Sequence, residues 1–196
     1  MNDKLSELIK QYHELFPQSQ KGIQQCADEI ESLISFVGNQ KFNHLAEIGS
    51  DEGGSIWLYA NLFAAENAVI TIVDQEIKPV LSAVVQTIKS RLPVRVVLIY
   101  GLSKDVYLDD VDFLHIDGDH SYEATHRDYV RNYAHVLPGG LILLHDTNLW
   151  EGPIKVKEEL QGNITNFVGN RLIGKGEGLE PTETSTGITV VKKRIL

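Results

Sequence analysis

Short runs of Val, Ile and Leu alternate with helical patterns from Phe42 onward, and this alternation limits the folds open to the chain. The runs include "AVITIVD", "VRVVLIY" and "LILLH", and they are continuously apolar rather than apolar at every second position. Continuous runs are typical of strands buried on both faces of a parallel sheet. Repeated β-α-β units of this size predict a doubly wound, Rossmann-like α/β domain with a mostly parallel sheet.

The first forty residues show helical spacing instead, and they predict a helical cap (1–40) ahead of the α/β domain (41–196). Asp3 is the expected N-cap of the first helix. The second helix is expected to carry Ile23 on its apolar face and to end near Gly38. These amphipathic helices contain no catalytic pattern, and they are expected to cover the main domain or to form a subunit contact in a homodimer.

Charge and cysteine content exclude several classes of protein. The formal charge of −9 argues against nucleic acid and against an anionic membrane as partners. The single cysteine, Cys26, rules out an intrachain disulfide and a cysteine-rich metal site, and it is expected to be buried in a helix. With neither a secretory leader pattern nor an apolar run near the roughly 18 residues that span a bilayer, a cytoplasmic location is expected.

The first strand end has the features of a cofactor loop. The segment "EIGSDEGGS" leads from a strand into a helix, and its glycines allow a ligand to approach the backbone closely. Its G-x-x-x-G-G spacing departs from the G-x-G-x-x-G fingerprint of dinucleotide sites. The candidate binding residues in this segment are Glu47, Gly49, Ser50, Gly53, Gly54 and Ser55.

Two acidic residues indicate which cofactor would fit. Glu47 in the loop would repel a diphosphate but attract a cation, whereas Asp74 at the end of the second strand can accept both hydroxyls of a ribose. A nucleoside that carries positive charge and no phosphate matches both. The expected cofactor is therefore S-adenosyl-L-methionine (SAM), although the segment could also be a glycine-rich turn with solvated acids.

The segments "HIDGDH" and "LLHDT" end the next two buried strands. One β-α-β unit separates Asp117 from Asp146, so the two carboxylates can lie side by side at neighbouring strand ends. Two carboxylates suit Mg²⁺ or Ca²⁺, whereas His145 beside Asp146 would suit Mn²⁺ or Zn²⁺. The predicted metal ligands are Asp117, His145 and Asp146.

His120 is the expected general base, because its ordinary pKa lies close to neutrality and it follows Asp117 by three residues. Such a base would take the proton of a hydroxyl that a metal ion has already activated. Asp117 could instead contact the cofactor or cap the helix that begins near Ser121, and Asp119 is an alternative cap. His115 is expected to be hydrogen-bonded within the sheet.

Four segments in this order resemble the class I SAM-dependent methyltransferases. They are "AEIGSDEGGS", "IDGDHSYEATHRDY", "LPGGLILLHDT" and "EGPIKVKEEL", within residues 42–160. They are more closely similar to methyltransferase family 24, which is related to macrocin and rhamnosyl O-methyltransferases and to cephalosporin-biosynthesis proteins. The chain differs from this pattern at His145, because related metal-dependent families often have a second acid at that position.

The resemblance implies a fold and a set of contacts. It implies a seven-stranded sheet whose last two strands form an antiparallel hairpin. It also implies that the glycine-rich loop holds the methionine end of SAM, that Asp74 holds the ribose, and that Gly101 and Ser103 lie near the adenine.

The expected function is therefore the methylation of a hydroxyl on a small molecule or a sugar, with SAM as cofactor and a divalent metal as assistant. Three alternatives stay open. A metal-dependent hydrolase or phosphoesterase would use the Asp/His clusters but leave Glu47 and Asp74 unexplained. An NAD-linked oxidoreductase conflicts with the glycine spacing, and a catalytically silent SAM-binding protein would keep the loop without the chemistry.

Overall fold

The computed structural model describes residues 2–160, 164–174, 180–181 and 185–195. The helices in these ranges are α1 (Asp3–Leu15), α2 (Ala27–Val37), α3 (Gly54–Phe63), α4 (Pro79–Arg91), α5 (Tyr122–Tyr133) and α6 (Glu151–Glu159). The strands are β1 (Ile23–Cys26), β2 (Phe42–Ile48), β3 (Ala64–Asp74), β4 (Arg95–Tyr100), β5 (Val111–Ile116), β6 (Val136–Leu144), β7 (Ile164–Phe167), β8 (Arg171–Gly174), β9 (Glu180–Pro181) and β10 (Ile188–Lys192).

The main sheet has seven strands in the order β4-β3-β2-β5-β6-β10-β7. The first five are parallel, and β10 runs antiparallel to both β6 and β7. This arrangement confirms the predicted Rossmann-like fold and its antiparallel C-terminal strands. Because sequential order reverses between β2 and β5, a crevice for ligands is expected outside the carboxyl ends of these two strands.

Both faces of the sheet are buried, as the continuous apolar runs predict. On one face of the sheet, Leu45 and Phe113 belong to an apolar cluster that includes residues of α1, α2, α3 and α4. The other face packs Ala46 and Leu114 into a second cluster that includes Val156 of α6 and is flanked by α5. No helix in the described ranges is long and apolar enough to cross a membrane.

The N-terminal segment differs from the expected pair of helices. Ile23 lies on the strand β1, and α2 begins only at Ala27, so Cys26 is buried at the strand end rather than inside a helix. β1 pairs antiparallel with β8, and β8 pairs with β9, which makes a separate three-stranded sheet. This partner lies about 150 residues later in the chain, so local periodicity could not reveal it.

Two further boundaries differ from expectation. Asn2 rather than Asp3 caps α1, because its Oδ1 accepts hydrogen bonds from the N–H groups of Lys4 and Leu5. The sequence pattern predicts one strand over residues 165–174 and an exposed polar loop over 175–186. The stretch instead divides between β7 of the main sheet and β8 of the small one, and most of the loop lies outside the described residues.

Glu29 on α2 connects the N-terminal segment to the tail. Its carboxylate is fully buried and accepts hydrogen bonds from the backbone N–H of Gly169 (3.2 Å) and of Gly187 (2.8 Å). The hydroxyls of Ser185 and Thr186 donate to the same group. A charged group is stable at such a depth only when donors surround it, so this cluster depends on the native position of both segments.

We expect Glu29→Ala to lower the free energy of unfolding by about 3 kcal/mol, because it leaves several buried donors without an acceptor. Urea unfolding followed by circular dichroism measures the change. Glu66→Ala is the matched control, since Glu66 is exposed at the surface, and its effect should stay within about 0.5 kcal/mol. Equal effects of the two substitutions would show that Glu29 does not hold the tail.

Candidate active site

The carboxyl ends of four neighbouring strands lie level with one another. Ile48 of β2 is in register with Val73 of β3 and with Ile116 of β5, which is in register with Leu144 of β6. The residues that follow continue the hydrogen bonding: Gly49 N–H donates to Val73, Asp117 N–H to Ile48, and His145 N–H to Ile116. The residues singled out in the sequence are therefore brought to one edge of the sheet.

Gly49 allows the first loop to turn directly beside the end of β5. Its φ is +79°, and a Cβ at this position would lie 2.2 Å from the carbonyl oxygen of Asp117. No other residue type fits such a contact without moving the backbone. Gly53, with φ +83°, then caps α3, so the loop presents the N-terminus of that helix to the site.

Asp74 holds the glycine-rich loop from the neighbouring strand. Its Oδ2 accepts from the backbone N–H of Ser50 (2.8 Å) and of Asp51 (3.0 Å). Its Oδ1 accepts from the N–H of Glu76 (2.9 Å). The carboxylate thus shapes the loop, and it also lines a cavity beside it.

Two cavities open along this edge of the sheet. One, of about 610 Å³, lies over the ends of β3 and β4 and is lined by Asp74, Gly101 and Ser103. The other, of about 650 Å³, extends toward β1 and α6 and is lined by Ser50, Gly54 and Ser55 as well as by Trp150. The residues common to both are Gly49, Asp51, Asp117, Gly118 and His120. We call the first cavity the nucleoside cavity and the second the acceptor cavity, after the ligands that are expected in them.

Glu47 lies beneath the loop rather than in either cavity. Its carboxylate is fully buried, accepts a hydrogen bond from Nδ1 of His115 at 2.7 Å and is bonded to the hydroxyl of Ser50. His115 is thereby hydrogen-bonded within the sheet, as expected. Glu47 is not among the residues that line either cavity, so its expected binding role stays a prediction.

Asp117, His120 and Asp146 form a compact cluster in the acceptor cavity. Each offers one ligand atom, and the three atoms lie within 4.8 Å of one another. Nε2 of His120 is 3.1 Å from Oδ2 of Asp146 and 3.5 Å from Oδ1 of Asp117. The structure therefore adds His120 to the two predicted carboxylates.

The backbone of Asp146 adopts an uncommon conformation to join this cluster. Its φ is +58° although it is not a glycine, and the residue is buried. Such a conformation costs about 1–3 kcal/mol and is concentrated at functional sites. The turn after β6 thus directs this carboxylate into the cluster at a cost in stability.

His145 lies behind the cluster and bridges the two carboxylates. Its Nδ1 is 3.2 Å from Oδ1 of Asp117 and 3.3 Å from Oδ1 of Asp146. Burial alone would lower its pKa, but the charges and hydrogen bonds of the two carboxylates raise the pKa of His145 well above its ordinary value. A protonated imidazole donates to carboxylates, and His145 lies where it can hold both of them. Its expected role as a metal ligand stays a prediction.

The same charges act in the opposite direction on Asp117. Burial would raise the pKa of this carboxyl, but the charge of His145 and the hydrogen bonds from His120 and His145 lower the pKa well below the ordinary range. The hydrogen bond to Asp117 also raises the pKa of His120. The cluster therefore keeps Asp117 ionised throughout the neutral range.

The remaining residues flank the two cavities. The hydroxyl of Ser103 donates to the carboxyl group of Asp128, whose pKa burial raises. The indole of Trp150 stacks on the ring of His120, with ring centres 5.5 Å apart. Ser121 rather than Asp119 caps α5, although Asp119 accepts a bond from the N–H of Ser121.

Sequence reasoning missed Glu52, which ties the N-terminal segment to the glycine-rich loop. One of its oxygens accepts from the hydroxyl of Ser19 (2.6 Å) and from the N–H groups of Gln20 and Lys21 (2.9 Å each). The signal in the sequence is a third acid inside the loop, after Glu47 and Asp51, that no cofactor role explains. Its consequence is that Lys21 and the residues after it border the acceptor cavity.

A family comparison agrees with this geometry. The family model for methyltransferase family 24, described as a methyltransferase domain, matches residues 46–147, just over half of the chain. These residues run from the glycine-rich loop to the turn that carries Asp146. The chain belongs to this methyltransferase family.

Solved structures of other methyltransferases share its fold. The O-methyltransferase TomG from Streptomyces achromogenes, in complex with SAM, is 15% identical, with 99% of this chain and 91% of that chain covered and a TM-score of 0.63. An O-methyltransferase from Bacillus cereus, in complex with SAH, is 16% identical, with coverage of 98% and 92% and a TM-score of 0.58. A comparison with curated proteins finds no match.

In this methyltransferase domain, the approach of Gly49 to Asp117 can be tested with two substitutions. Gly38→Ala adds a methyl group at φ +62° with no atom nearby, and its cost is the backbone strain alone, about 1–3 kcal/mol. Gly49→Ala carries a similar strain and must also displace the end of β5, which adds about 1–3 kcal/mol. We expect urea unfolding to show the larger loss for Gly49→Ala, and equal losses would contradict the close approach.

Proposed function

We propose that the protein is a SAM-dependent O-methyltransferase that acts on a hydroxyl group of a small molecule or a sugar. One observation carries the proposal: a nucleoside-sized cavity and a second cavity of similar size meet at the glycine-rich loop and at Asp117–His120. Methyl transfer needs this layout, because cofactor and acceptor must enter from different sides and meet at one carbon atom. The SAM and SAH complexes of TomG and of the Bacillus cereus enzyme support the choice of cofactor.

The nucleoside cavity has the polar groups that SAM requires. The carboxylate of Asp74 can accept hydroxyl donors of a ribose, and acidic side chains outnumber basic ones in the lining. Gly101 and Ser103 border the part expected to hold the adenine. Bound there, SAM would supply a methyl group on a positively charged sulfur, and SAH would be the leaving group when an oxygen attacks the methyl carbon.

The chain contributes orientation and proton removal to this displacement. The loop around Gly49 fixes the cofactor side, while Asp117, His120 and Asp146 border the acceptor side at the point where the cavities meet. The acceptor oxygen bonds to the methyl carbon as the carbon–sulfur bond breaks, and the hydroxyl proton passes to His120 or, when His120 holds a cation, to water. Alignment of the two reactants is the largest contribution that such a site makes.

The cluster also fits a divalent cation. Two carboxylate oxygens and one imidazole nitrogen within 4.8 Å suit Mg²⁺ or, because of the nitrogen, Mn²⁺. We propose that Asp117, His120 and Asp146 hold it while His145 fixes the carboxylates. When bound, the cation lowers the pKa of the acceptor hydroxyl. His120 as the general base is the alternative, because the same nitrogen cannot do both.

The binding affinity for the cofactor, and not only the stability of the fold, should depend on Asp74. We expect Asp74→Asn to weaken SAH binding at least tenfold by calorimetry, because the amide donates where ribose hydroxyls and backbone N–H groups need an acceptor. Asp112→Asn is the matched control. Its carboxylate likewise accepts from two consecutive N–H groups, those of Asn43 and His44, but it borders neither cavity.

Asp112→Asn should lower stability comparably and leave the affinity for SAH within twofold of the wild type. If the wild-type protein binds neither SAM nor SAH, the proposed function is wrong. A protein that cleaves phosphate esters with a metal ion but ignores SAM would be the hydrolase of the alternative reading. One that binds SAM yet transfers no methyl group to any acceptor would be a silent binding protein.

Metal binding can be measured directly with Mn²⁺ by electron paramagnetic resonance. We expect His120→Ala and Asp146→Asn each to reduce Mn²⁺ affinity at least tenfold, and His126→Ala, on the exposed part of α5, to leave it unchanged. If the wild type fails to bind Mn²⁺ and Mg²⁺ at millimolar concentration, the metal proposal falls. His120 then becomes the principal candidate for the base.

A further inference from the structure

Asp128 is a buried carboxylate on α5 that the proposed mechanism does not use. The residue is only 2% exposed, and its Oδ1 and Oδ2 atoms lie 2.8 and 2.9 Å from Oγ of Ser103. Its Oδ2 also lies behind Gly118, because a Cβ at that glycine would be 4.0 Å from this oxygen. Since Ser103 and Gly118 both line the nucleoside cavity, Asp128 lies directly behind the wall of that cavity.

A carboxylate at this depth is stable only when donors face it. Burial raises the pKa of Asp128, whereas the hydrogen bond from Ser103 and the charges of Arg127 and Arg131 act in the opposite direction. Nε of Arg127 is 3.6 Å from Oδ1, so the hydroxyl of Ser103 is the nearer of these two side-chain donors. The carboxylate therefore fixes the direction in which the Ser103 hydroxyl points its proton.

This contact decides how Ser103 can interact with a ligand. A serine hydroxyl has one proton and two lone pairs, and here the proton is donated to Asp128. Ser103 is half-buried and lines the nucleoside cavity, so a ligand can reach its side chain, but the oxygen can then only accept a hydrogen bond. Lys104 and Arg127 line the same cavity, and their side chains can only donate.

The expected cofactor offers a matching donor in the 6-amino group of its adenine. Gly101 and Ser103 border the part of the cavity in which this base is expected. The 6-oxo group of hypoxanthine or guanine is an acceptor instead, so it would face the Ser103 oxygen with no proton between the two atoms. A mismatch of this kind leaves polar groups unpaired and is a strong source of discrimination.

We propose that Asp128 is a positioning residue that makes the Ser103 hydroxyl an acceptor for the 6-amino group of the cofactor, so that the pair rejects 6-oxo purines. This inference rests on the proposed SAM-dependent function and adds to it a residue that does not itself line the cavity. Ser103 alone would not supply the selectivity, because a hydroxyl that is free to rotate donates to a 6-oxo group as readily as it accepts from a 6-amino group.

The test compares SAH with S-inosyl-L-homocysteine, which carries a 6-oxo group in place of the 6-amino group. We expect the wild type to bind SAH at least about tenfold more tightly by calorimetry at mildly alkaline pH, where Asp128 is ionised. Asp128→Asn keeps the shape of the side chain but supplies an N–H group that can donate to Ser103 and free its proton. This substitution should reduce the preference for SAH by about fivefold or more.

Asp105→Asn is the matched control, because Asp105 lies on the same turn as Ser103, is exposed and does not line the nucleoside cavity. It should leave the preference within about twofold of the wild type. Ser103→Ala removes the acceptor itself and should bring the two affinities within about threefold of each other, which keeps the proposal testable if Asp128→Asn does not fold. A merely structural role of Asp128 would weaken both ligands equally and leave the preference intact.

The proposal is overturned if the wild type binds the two ligands equally or prefers the inosyl compound, or if Asp128→Asn or Ser103→Ala leaves the preference unchanged. It is also overturned if the preference is lost in Asp119→Asn and kept in Asp128→Asn, since Asp119 lines the same cavity and would then be the acceptor for the amine. These failures are distinct from failure of the proposed function, in which the wild type binds neither SAM nor SAH.

Discussion

The site depends on backbone hydrogen bonds that continue past the ends of the parallel strands. Gly49, Asp117 and His145 each donate from the first position after a strand to the last or next-to-last carbonyl of the neighbouring strand. These backbone bonds alone hold the four strand ends at one level. Side chains on the next residues then have little freedom to diverge, which is why residues distant in sequence share one small volume.

Glycine makes this arrangement possible at its tightest point. At position 49, the loop and the end of β5 are so close that a single methyl group would fall within 2.2 Å of a carbonyl oxygen. The same short separation lets the loop and Asp117 border both cavities at once. A longer side chain would separate the two halves of the site, and the cofactor side and the acceptor side would no longer share residues.

The sequence predicted the features that follow from local patterns. The continuous apolar runs predicted the buried parallel strands, and the polar residues after them predicted which edge carries the site, because both depend on neighbours in the chain. The small sheet was missed because β1 and β8 pair across most of the chain. The same holds for Glu29 and Glu52, whose partners are backbone groups that no spacing reveals.

The choice between two histidines shows a different limit. Both His120 and His145 adjoin an aspartate in the relevant segments, and residue type does not distinguish a ligand from a residue behind it. Only the turn after β6, with φ +58° at Asp146, brings that carboxylate to His120 while His145 stays buried. Backbone conformation at a single non-glycine residue thus sets where the two imidazoles lie relative to this carboxylate, and sequence patterns carry almost no information about it.

The pairing of β1 with β8, together with Glu29, has a consequence for redesign. The segment 23–29 and the tail that contains Gly169 and Gly187 hold each other in place, while the strand ends and the glycine-rich loop belong to the separate main sheet. The acceptor cavity is therefore bordered by residues from both ends of the chain. A chimera with a relative's acceptor preference would have to exchange these two stretches together, since either one alone would lose its buried hydrogen bonds.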